Sequence, residues 1–349
     1  MQQTTLFGGL FGDDKRRYLG QLAEGFIATQ VVAVTARLGV PDLLADADQT
    51  AEELAGAIGA EPDPLERLLR AAAGFGLLTQ DENDRFTLTE VGQFLRTDAT
   101  GGLRDFIVGF TGPPLWQSMG QLENVVRNGH YSDATDDAAS GMWAYYQHHP
   151  EEARWFARAM SSLTTRLAGE VVTAYDPSGF ERIVDVGGSR GTLLMHLLRR
   201  APQATGVLWD RSEALEEAPT VLAEGGVADR TEVVAGDFLE AVPRGGDLYV
   251  ISQVLHNWED EQARTIVSNC HRASQPDSTL LVIEPLLPTD SQPSPMHVLD
   301  LLMMVGPGGR ERSREQHEAL LASAGYTLTR DIALTQGFPP WHILECRRT

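Results

Sequence analysis

The sequence predicts an α/β chain: a doubly wound, mostly parallel sheet in its C-terminal half and a smaller, mainly helical domain before it. Three observations carry that prediction. The apolar run Ile183-Val184-Asp185-Val186 enters a glycine cluster, Gly187, Gly188 and Gly191, and the helix-period run Leu193, Leu194, Leu197, Leu198 follows, so the stretch reads as strand, tight turn, helix. Strand and helix patterns then alternate to the C-terminus, as in βαβ units. At 349 residues the chain is long for one core and implies two domains.

Composition narrows the partners. The chain is 42% hydrophobic and 22% charged, as expected of a globular protein, with a formal net charge of −21. Such a field repels nucleic acid and anionic membrane surfaces, so neither is an expected partner. Cys270 and Cys346 make no framework or C-x-x-C site and read as core thiols of a reduced cytosol. Asp13, Asp14, Lys15, Arg16 and Arg17 precede any long apolar run, which does not read as a signal peptide. No stretch reaches 18 uninterrupted apolar residues, so no membrane span is expected and the chain reads as cytoplasmic.

Residues 1–14 are Gly-rich and expected to be loose. An Ala/Val/Leu/Ile-rich helical run over about 18–38 ends at Gly39, with Pro41 beyond. It is more apolar than one exposed face needs and reads as a buried or dimer-forming helix. Thr50-Ala51-Glu52-Glu53 is a capping box ahead of Leu54, Ala57 and Ile58. Asp63-Pro64 opens a second helix that closes at Gly74. Residues 77–79 and 85–89, joined by Asp81-Glu82-Asn83-Asp84, make a hairpin. Two helices and a hairpin are a winged-helix layout. Residues 1–100 hold 8 Lys/Arg against 16 Asp/Glu, a net −8, and the helix that would read DNA offers only Arg67 and Arg70. Phosphate neutralisation is not available there, so a dimerising role is the better reading.

Residues 101–180 are mostly helical by pattern. Pro113-Pro114 breaks one run, and an Asp/Ala-rich loop covers 132–140. Trp143, Tyr145, Tyr146, Trp155, Phe156 and Met160 cluster in the second half. They are either helix core or an aromatic and thioether wall for a flat organic substrate. His148-His149 has no partnering cluster that spells a metal site. Asp176-Pro177-Ser178-Gly179 is a linker, which divides the chain into 1–100, 101–179 and 180–349. Strands are expected at 182–186, 205–209, 231–235, 247–252, 280–284, 326–334 and 341–347, the last two as an antiparallel pair at the sheet edge.

In such sheets ligands bind beyond the C-terminal ends of the strands. Asp210 ends the second strand, where a carboxylate can accept both ribose hydroxyls. Asp237 ends the third and can accept from an adenine amine, with Phe238 packed on the ring. A helix N-cap and a turn aspartate are the plainer alternatives.

The glycine loop resembles motif I of the class I S-adenosylmethionine-dependent methyltransferases, with Asp185, Gly187 and Gly191 in place and Ser189 at the usual third glycine. The resemblance becomes specific further on. Ser252-Gln253-Val254-Leu255-His256-Asn257-Trp258, Leu280-Leu281-Val282-Ile283-Glu284-Pro285, Asp300-Leu301-Leu302-Met303-Met304 and Gly308-Gly309-Arg310-Glu311-Arg312-Ser313 are similar to the plant caffeate-type and bacterial natural-product O-methyltransferases. That likeness covers nearly the whole chain. It implies a class I methyltransferase Rossmann-like sheet with an N-terminal winged-helix dimerisation domain, a homodimer, and S-adenosylmethionine as cofactor. It further implies that Asp185, Gly187, Gly188, Asp210, Asp237, Phe238 and Ser252 line the cofactor with Trp258 near adenine. His256 becomes the general base, flanked by Glu284 and Glu311. Trp143, Phe156, Met160, Asn257, Met303 and Met304 are the residues expected to line an acceptor pocket. Arg211-Ser212 and Asn257 depart from the common pattern.

The chemistry agrees. A phenol, with a pKa of about 10, needs to lose its proton before it attacks a sulfonium methyl, and a histidine near 6.5 can take it. Glu259, Asp260 and Glu261 are read as complements to the next helix dipole, and Arg310 and Arg312 as partners of Glu311. The reading is an S-adenosylmethionine-dependent O-methyltransferase for a hydroxyl of an aromatic or polyketide-like metabolite, with no divalent metal required. Two rivals are a family member repurposed for hydroxylation, decarboxylation or a pericyclic step, and a winged-helix regulator that senses a small ligand.

Overall fold

A computed structural model describes residues 15–129, 142–334 and 340–349, apart from the Arg17 side chain. The expected loose start at 1–14 and the loop at 132–140 lie outside the described residues. The chain divides into two compact units, residues 1–112 and 113–349.

In the first unit, α1 (Lys15–Arg37) stops where Gly39 turns at φ 70°. Thr50 caps α2 (Ala51–Ile58): its hydroxyl accepts from Glu53 N while Glu53 accepts from Thr50 N, so the expected capping box is made. The next helix, α3 (Pro62–Gly74), begins one residue before the expected Asp63, because Pro62 takes a first-turn position that needs no N–H. The hairpin pairs β2 (Leu78–Gln80) with β3 (Arg85–Leu88), and a two-residue strand β1 (Gln49–Thr50) adds to the far side of β3. α1 packs on α3 and on α4 (Arg104–Phe110). Tyr18, Leu19, Leu22, Phe26 and Ile27 of α1 remain exposed. Contrary to the sequence expectation, the helical stretch Tyr18–Arg37 is long and apolar enough to cross a membrane by length and composition.

The second unit opens with helices α5 (Pro113–Gly120), α6 (Leu122–Asn128), α7 (Met142–His148) and α8 (Pro150–Ala174). Pro113-Pro114 does more than break a run: it starts α5. A seven-stranded sheet follows in the order β6-β5-β4-β7-β8-β10-β9. Its strands are β4 (Arg182–Val186), β5 (Thr205–Asp210), β6 (Thr231–Ala235), β7 (Leu248–Ser252), β8 (Thr279–Pro285), β9 (Tyr326–Ala333) and β10 (Trp341–Arg348). The first five are parallel, and β10 runs antiparallel between β8 and the edge strand β9. Alternation along each strand feeds two cores. One joins Ile183, Leu208, Val250 and Ile283 to α8 and α9 (Thr192–Arg200). The other joins Val184, Ile251 and Val282 to α11 (Asp260–Ala273) and α13 (Arg314–Ser323), with α10 (Ala218–Glu224) and α12 (Pro295–Val305) completing the helices. Both cysteines are free and buried. Strand order reverses between β4 and β7, which sets the glycine loop and the turn after β7 side by side.

Candidate active site

The glycine loop is built from contacts that only a missing Cβ allows. Gly187 sits at φ 77°, and a Cβ on it would lie 2.6 Å from Val254 Cγ2. A Cβ on Gly188 would lie 2.4 Å from Asp185 Oδ2 and 2.5 Å from Leu208 Cδ1. Ser189 adopts φ 50°, a left-handed conformation that glycine takes with less strain. The loop thus keeps its conformation although serine stands at the third position.

Asp210 anchors that loop. Its Oδ2 accepts from Ser189 N at 2.8 Å and its Oδ1 from Arg211 N at 2.7 Å. Burial raises its pKa to about 6, against the pull of those two N–H groups. It therefore caps no helix; Glu217 stands at the N-cap of α10. Asp185 lies beneath Gly188, 1% exposed. Burial, and then the charge of Asp210, push its pKa up to about 7. Asp237 is exposed and its Oδ1 accepts from Leu239 N at 2.8 Å, a turn bond that leaves its other oxygen available. Phe238 meets Trp258 edge to face at 5.8 Å.

The turn after β7 carries the second cluster. Ser252 ends the strand, Gln253 bends back at φ 58°, and a 3₁₀ turn Leu255–Asn257 holds His256. His256 Nδ1 lies 3.0 Å from Glu311 Oε1 and 3.5 Å from Glu284 Oε2, and the imidazole is 12% exposed. Glu284 Oε1 accepts from Val254 N at 2.9 Å and Leu255 N at 2.8 Å, so the carboxylate that faces the ring also ties down the turn. Burial alone would lower the His256 pKa. The charges of Glu284 and Glu311, the Glu311 hydrogen bond and the Gln253 carbonyl outweigh it and hold the pKa at about 9. Glu284 is itself raised, first by burial, with His256 pulling the other way. Glu311 is placed by its own backbone N–H, which donates to Asp300 Oδ1 at 2.8 Å. Asn257 donates to the Gln253 carbonyl at 3.1 Å, a bond inside the turn.

Two sequence expectations need correcting here. Arg310 and Arg312 pair with Asp260, at 3.5 and 2.8 Å, rather than with Glu311. Gly309 lets its own backbone press on the turn, Arg310 N donates to the His256 carbonyl, and both arginines reach the start of α11. Asp260 consequently does more than complement a helix dipole.

Further from the turn, Trp143, Tyr146 and Phe156 form one aromatic cluster, with Trp143 at 6.1 Å from Phe156 and Tyr146 at 5.2 Å. Tyr145 meets Tyr146 edge to face at 6.1 Å and stacks on His149, at 3.8 Å between ring centres. Met160 and Met304 are partly buried and Met303 is buried. α8 is tied to the turn after β7 by Gln253 Nε2, which donates to Thr164 Oγ1 at 3.0 Å, and to the start of α9 by the Ser161–Thr192 hydroxyl pair at 2.5 Å. Sequence reasoning missed a bridge beside them. Glu217 accepts from Arg158 Nε of α8 at 3.0 Å and pairs with Arg190 Nε of the glycine loop at 2.9 Å. Arg190 in the loop and a Glu-Glu pair ahead of α10 were its only trace in the sequence.

Buried polar atoms without a partner gather at these strand ends: Asp185 Oδ2, Trp209 Nε1, Ser252 Oγ, Glu284 Oε2 and Glu311 Oε2. Native interiors rarely leave such groups unpaired. Asp185 Oδ2 and Ser252 Oγ, beside a backbone cradle at Gly187 and Gly188 that a Cβ would fill, fit a polar ligand at the glycine loop.

The sheet order, the glycine loop at the switch point and the acids on neighbouring strand ends define a class I methyltransferase fold. Comparison with known proteins takes this further. Residues 119–327 match the O-methyltransferase domain model and residues 20–98 the O-methyltransferase dimerisation domain model. The phenazine O-methyltransferase PhzM of Lysobacter antibioticus is 35% identical, over 94% of this chain and 94% of its own. The mitomycin biosynthesis 6-O-methyltransferase of Streptomyces lavendulae is 36% identical, over 95% and 94%. The crystal structure of LaPhzM superposes with a TM-score of 0.87 at 34% identity, covering 96% of this chain and all of that one. The chain therefore belongs to the O-methyltransferase family of bacterial natural-product biosynthesis, and it is an S-adenosylmethionine-dependent methyltransferase. Its N-terminal unit carries the family's dimerisation domain. Two further relatives bear on the acceptor. NcsB1, at a TM-score of 0.77 and 29% identity over 92% of this chain and 96% of that one, was crystallised with S-adenosylhomocysteine and 1,4-dihydroxy-2-naphthoic acid. An 8-amino-8-demethylriboflavin N,N-dimethyltransferase of Streptomyces davaonensis is 33% identical, over 91% of each chain.

Proposed function

We propose that the chain transfers a methyl group to a hydroxyl of a mid-sized aromatic or polyketide-like metabolite, as a cytoplasmic homodimer, with His256 as general base. The observation that carries this reading is the imidazole hydrogen-bonded through Nδ1 to buried Glu311, with buried Glu284 3.5 Å from the same nitrogen, one turn past Ser252, at the switch point of the sheet. That arrangement leaves Nε2 as the nitrogen for a substrate proton and stabilises the imidazolium once it forms. Removing a phenol's proton is worth ~10²–10⁴-fold in rate, and holding donor and acceptor in line adds several powers of ten.

For the cofactor, Asp210 is the acceptor for the ribose hydroxyls, Asp237 and Phe238 with Trp258 for the adenine, and Gly187, Gly188 and Ser252 for the methionine end, with Asp185 supporting the loop from below. S-adenosylmethionine, when bound, supplies a methyl group activated on a sulfonium. Trp143, Phe156 and Met160 of α7 and α8, Asn257 of the turn after β7, and Met303 and Met304 of α12 are proposed to shape the acceptor pocket. The exposed apolar side chains of α1 are the surface that a second copy would cover.

The test uses 1,4-dihydroxy-2-naphthoic acid as a phenolic probe and release of S-adenosylhomocysteine as readout. His256→Gln is expected to lose ~10²–10⁴-fold in turnover while it binds S-adenosylhomocysteine as the unaltered protein does. Turnover equal to the unaltered protein would overturn the base assignment. The N-methylating relative favours a second reading, a nitrogen acceptor, which needs less help from a base. An amine probe turned over equally by both proteins would select it.

A further inference from the structure

Arg312 is one of the largest fully buried side chains, 1% exposed, and it lies next to Glu311 in sequence. A buried guanidinium has five N–H donors to satisfy and is costly where any is left unpaired. Here Nε donates to Asp260 Oδ1 at 3.0 Å. Nη2 donates to Asp260 Oδ1 and to the Trp258 carbonyl, each at 2.8 Å. Nη1 donates to the Leu255 carbonyl at 2.8 Å and the Arg310 carbonyl at 3.4 Å. Three of these acceptors are backbone carbonyls, and the one carboxylate, Asp260, is 56% exposed. The fork thus grips a piece of main chain more than it neutralises a charge.

The gripped piece is the turn that carries His256. A 3₁₀ turn of three residues has little stability of its own, and its terminal carbonyls lack intrahelical partners. Arg312 takes the carbonyls on either side of His256, at Leu255 and Trp258. Beside it Arg310 N donates to the His256 carbonyl at 2.9 Å. Gly309 comes so close that a Cβ would lie 2.2 Å from that same oxygen. Segment 309–312 is therefore fastened to turn 255–258 along its length, and Glu311 rides on the fastened segment.

We propose that Arg312 is a positioning residue: it sets the His256 imidazole at hydrogen-bond distance from Glu311 by clamping the turn that carries one to the segment that carries the other. The proposal rests on the reading of His256 as base. Arg312 acts through backbone placement, since the groups that hold up the His256 pKa are Glu284, Glu311 and the Gln253 carbonyl. Lysine keeps the charge but replaces a five-donor fork with a single ammonium, so Arg312→Lys loosens the clamp without changing net charge.

The experiment follows the His256 ring by proton NMR against pH in the full-length protein, with the signal assigned by its loss in His256→Gln. The unaltered protein is expected to titrate well above 6.5. Arg312→Lys is expected to bring that midpoint down by at least one pH unit and to cut turnover of 1,4-dihydroxy-2-naphthoic acid 10–100-fold, with S-adenosylhomocysteine affinity within threefold. Added to His256→Gln, it is expected to change turnover less than twofold. Asp260→Asn, which keeps the arginine and weakens its anchor, is expected to move the midpoint the same way by less, and it serves if Arg312→Lys does not fold. An unmoved midpoint in the folded variants overturns the clamp, as does an equal turnover loss with and without His256. Full turnover by His256→Gln alone would instead remove the base reading, and the clamp's catalytic meaning with it.

Discussion

Two pairs of buried carboxylates stand at the same edge of the same sheet, on opposite faces of it. Asp185 and Asp210 follow the alternation of Ile183 and Leu208, toward α8 and α9; Glu284 follows Val282, toward α11 and α13. Asp185 and Asp210 repel each other and receive backbone N–H groups, and burial raises both, to about 7 and about 6. Glu284 and Glu311 face one imidazole, and there the larger consequence falls on the histidine, whose pKa they hold at about 9: a stronger base than a free imidazole, able to take a substrate proton once its own has left. A buried acid is the same chemical object in both places. What stands beside it decides whether it waits for a ligand's donors or tunes a base.

The comparison can be broken most decisively at Asp210. Each hydrogen bond to a charged group is worth about 1.5–3 kcal/mol, and this carboxylate orders two loop amides besides its role toward ribose. Asp210→Ala is expected to weaken S-adenosylhomocysteine at least 100-fold by calorimetry, with turnover at saturating cofactor less affected. Glu311→Gln tests the other pair. It is expected to leave that affinity unchanged, to cut turnover about 10–100-fold, and to shift the acid limb of kcat/KM down, because one of the two charges that favour the imidazolium is gone while Glu284 remains. Equal effects of both variants on affinity would erase the distinction drawn here.

A subtler contrast lies in pH. Both aspartates are raised in the folded state, so the unliganded protein binds protons there more tightly than the unfolded chain does. Their contribution to stability is present below about 4 and is lost as pH rises through 6 to 7. A ligand that donates to them favours the ionised form, so cofactor affinity is expected to rise between pH 5 and 8 with release of protons. Titrations in buffers of different ionisation enthalpy measure this, and a flat profile would mean both acids ionise before binding. The smallest effect is expected at Ser189. Glycine there relieves a left-handed residue, so Ser189→Gly should raise the melting temperature by about 2–4 °C, for about 1 kcal/mol, with turnover within twofold.

Much of this site was legible in the chain. The glycine turn, the capping box at Thr50 and the strand that ends in Ser252 are short-range patterns, and each arises within a few residues of where its signal lies. His256, Glu284 and Glu311 were recoverable as a set only through motif likeness, because 27 to 55 residues separate them and no local rule brings them together. Arg312 was read wrongly for the same reason. Adjacency to Glu311 suggested a pair, whereas the buried fork needed more acceptors than one carboxylate offers and found them in a distant turn.

The sequence by itself determined the alternation of elements, the net charge that repels nucleic acid, and the residue types able to bind a nucleoside and move a proton. These follow from hydrophobic period, backbone permissiveness and side-chain chemistry, all properties of neighbours in the chain. Only the tertiary structure decided that β10 inserts between β8 and β9, that Asp185 lies against Asp210, and that Glu311 rather than Glu284 makes the hydrogen bond to His256. Those are outcomes of strand order and burial, in which groups far apart in sequence share a low-dielectric space and change one another's protonation.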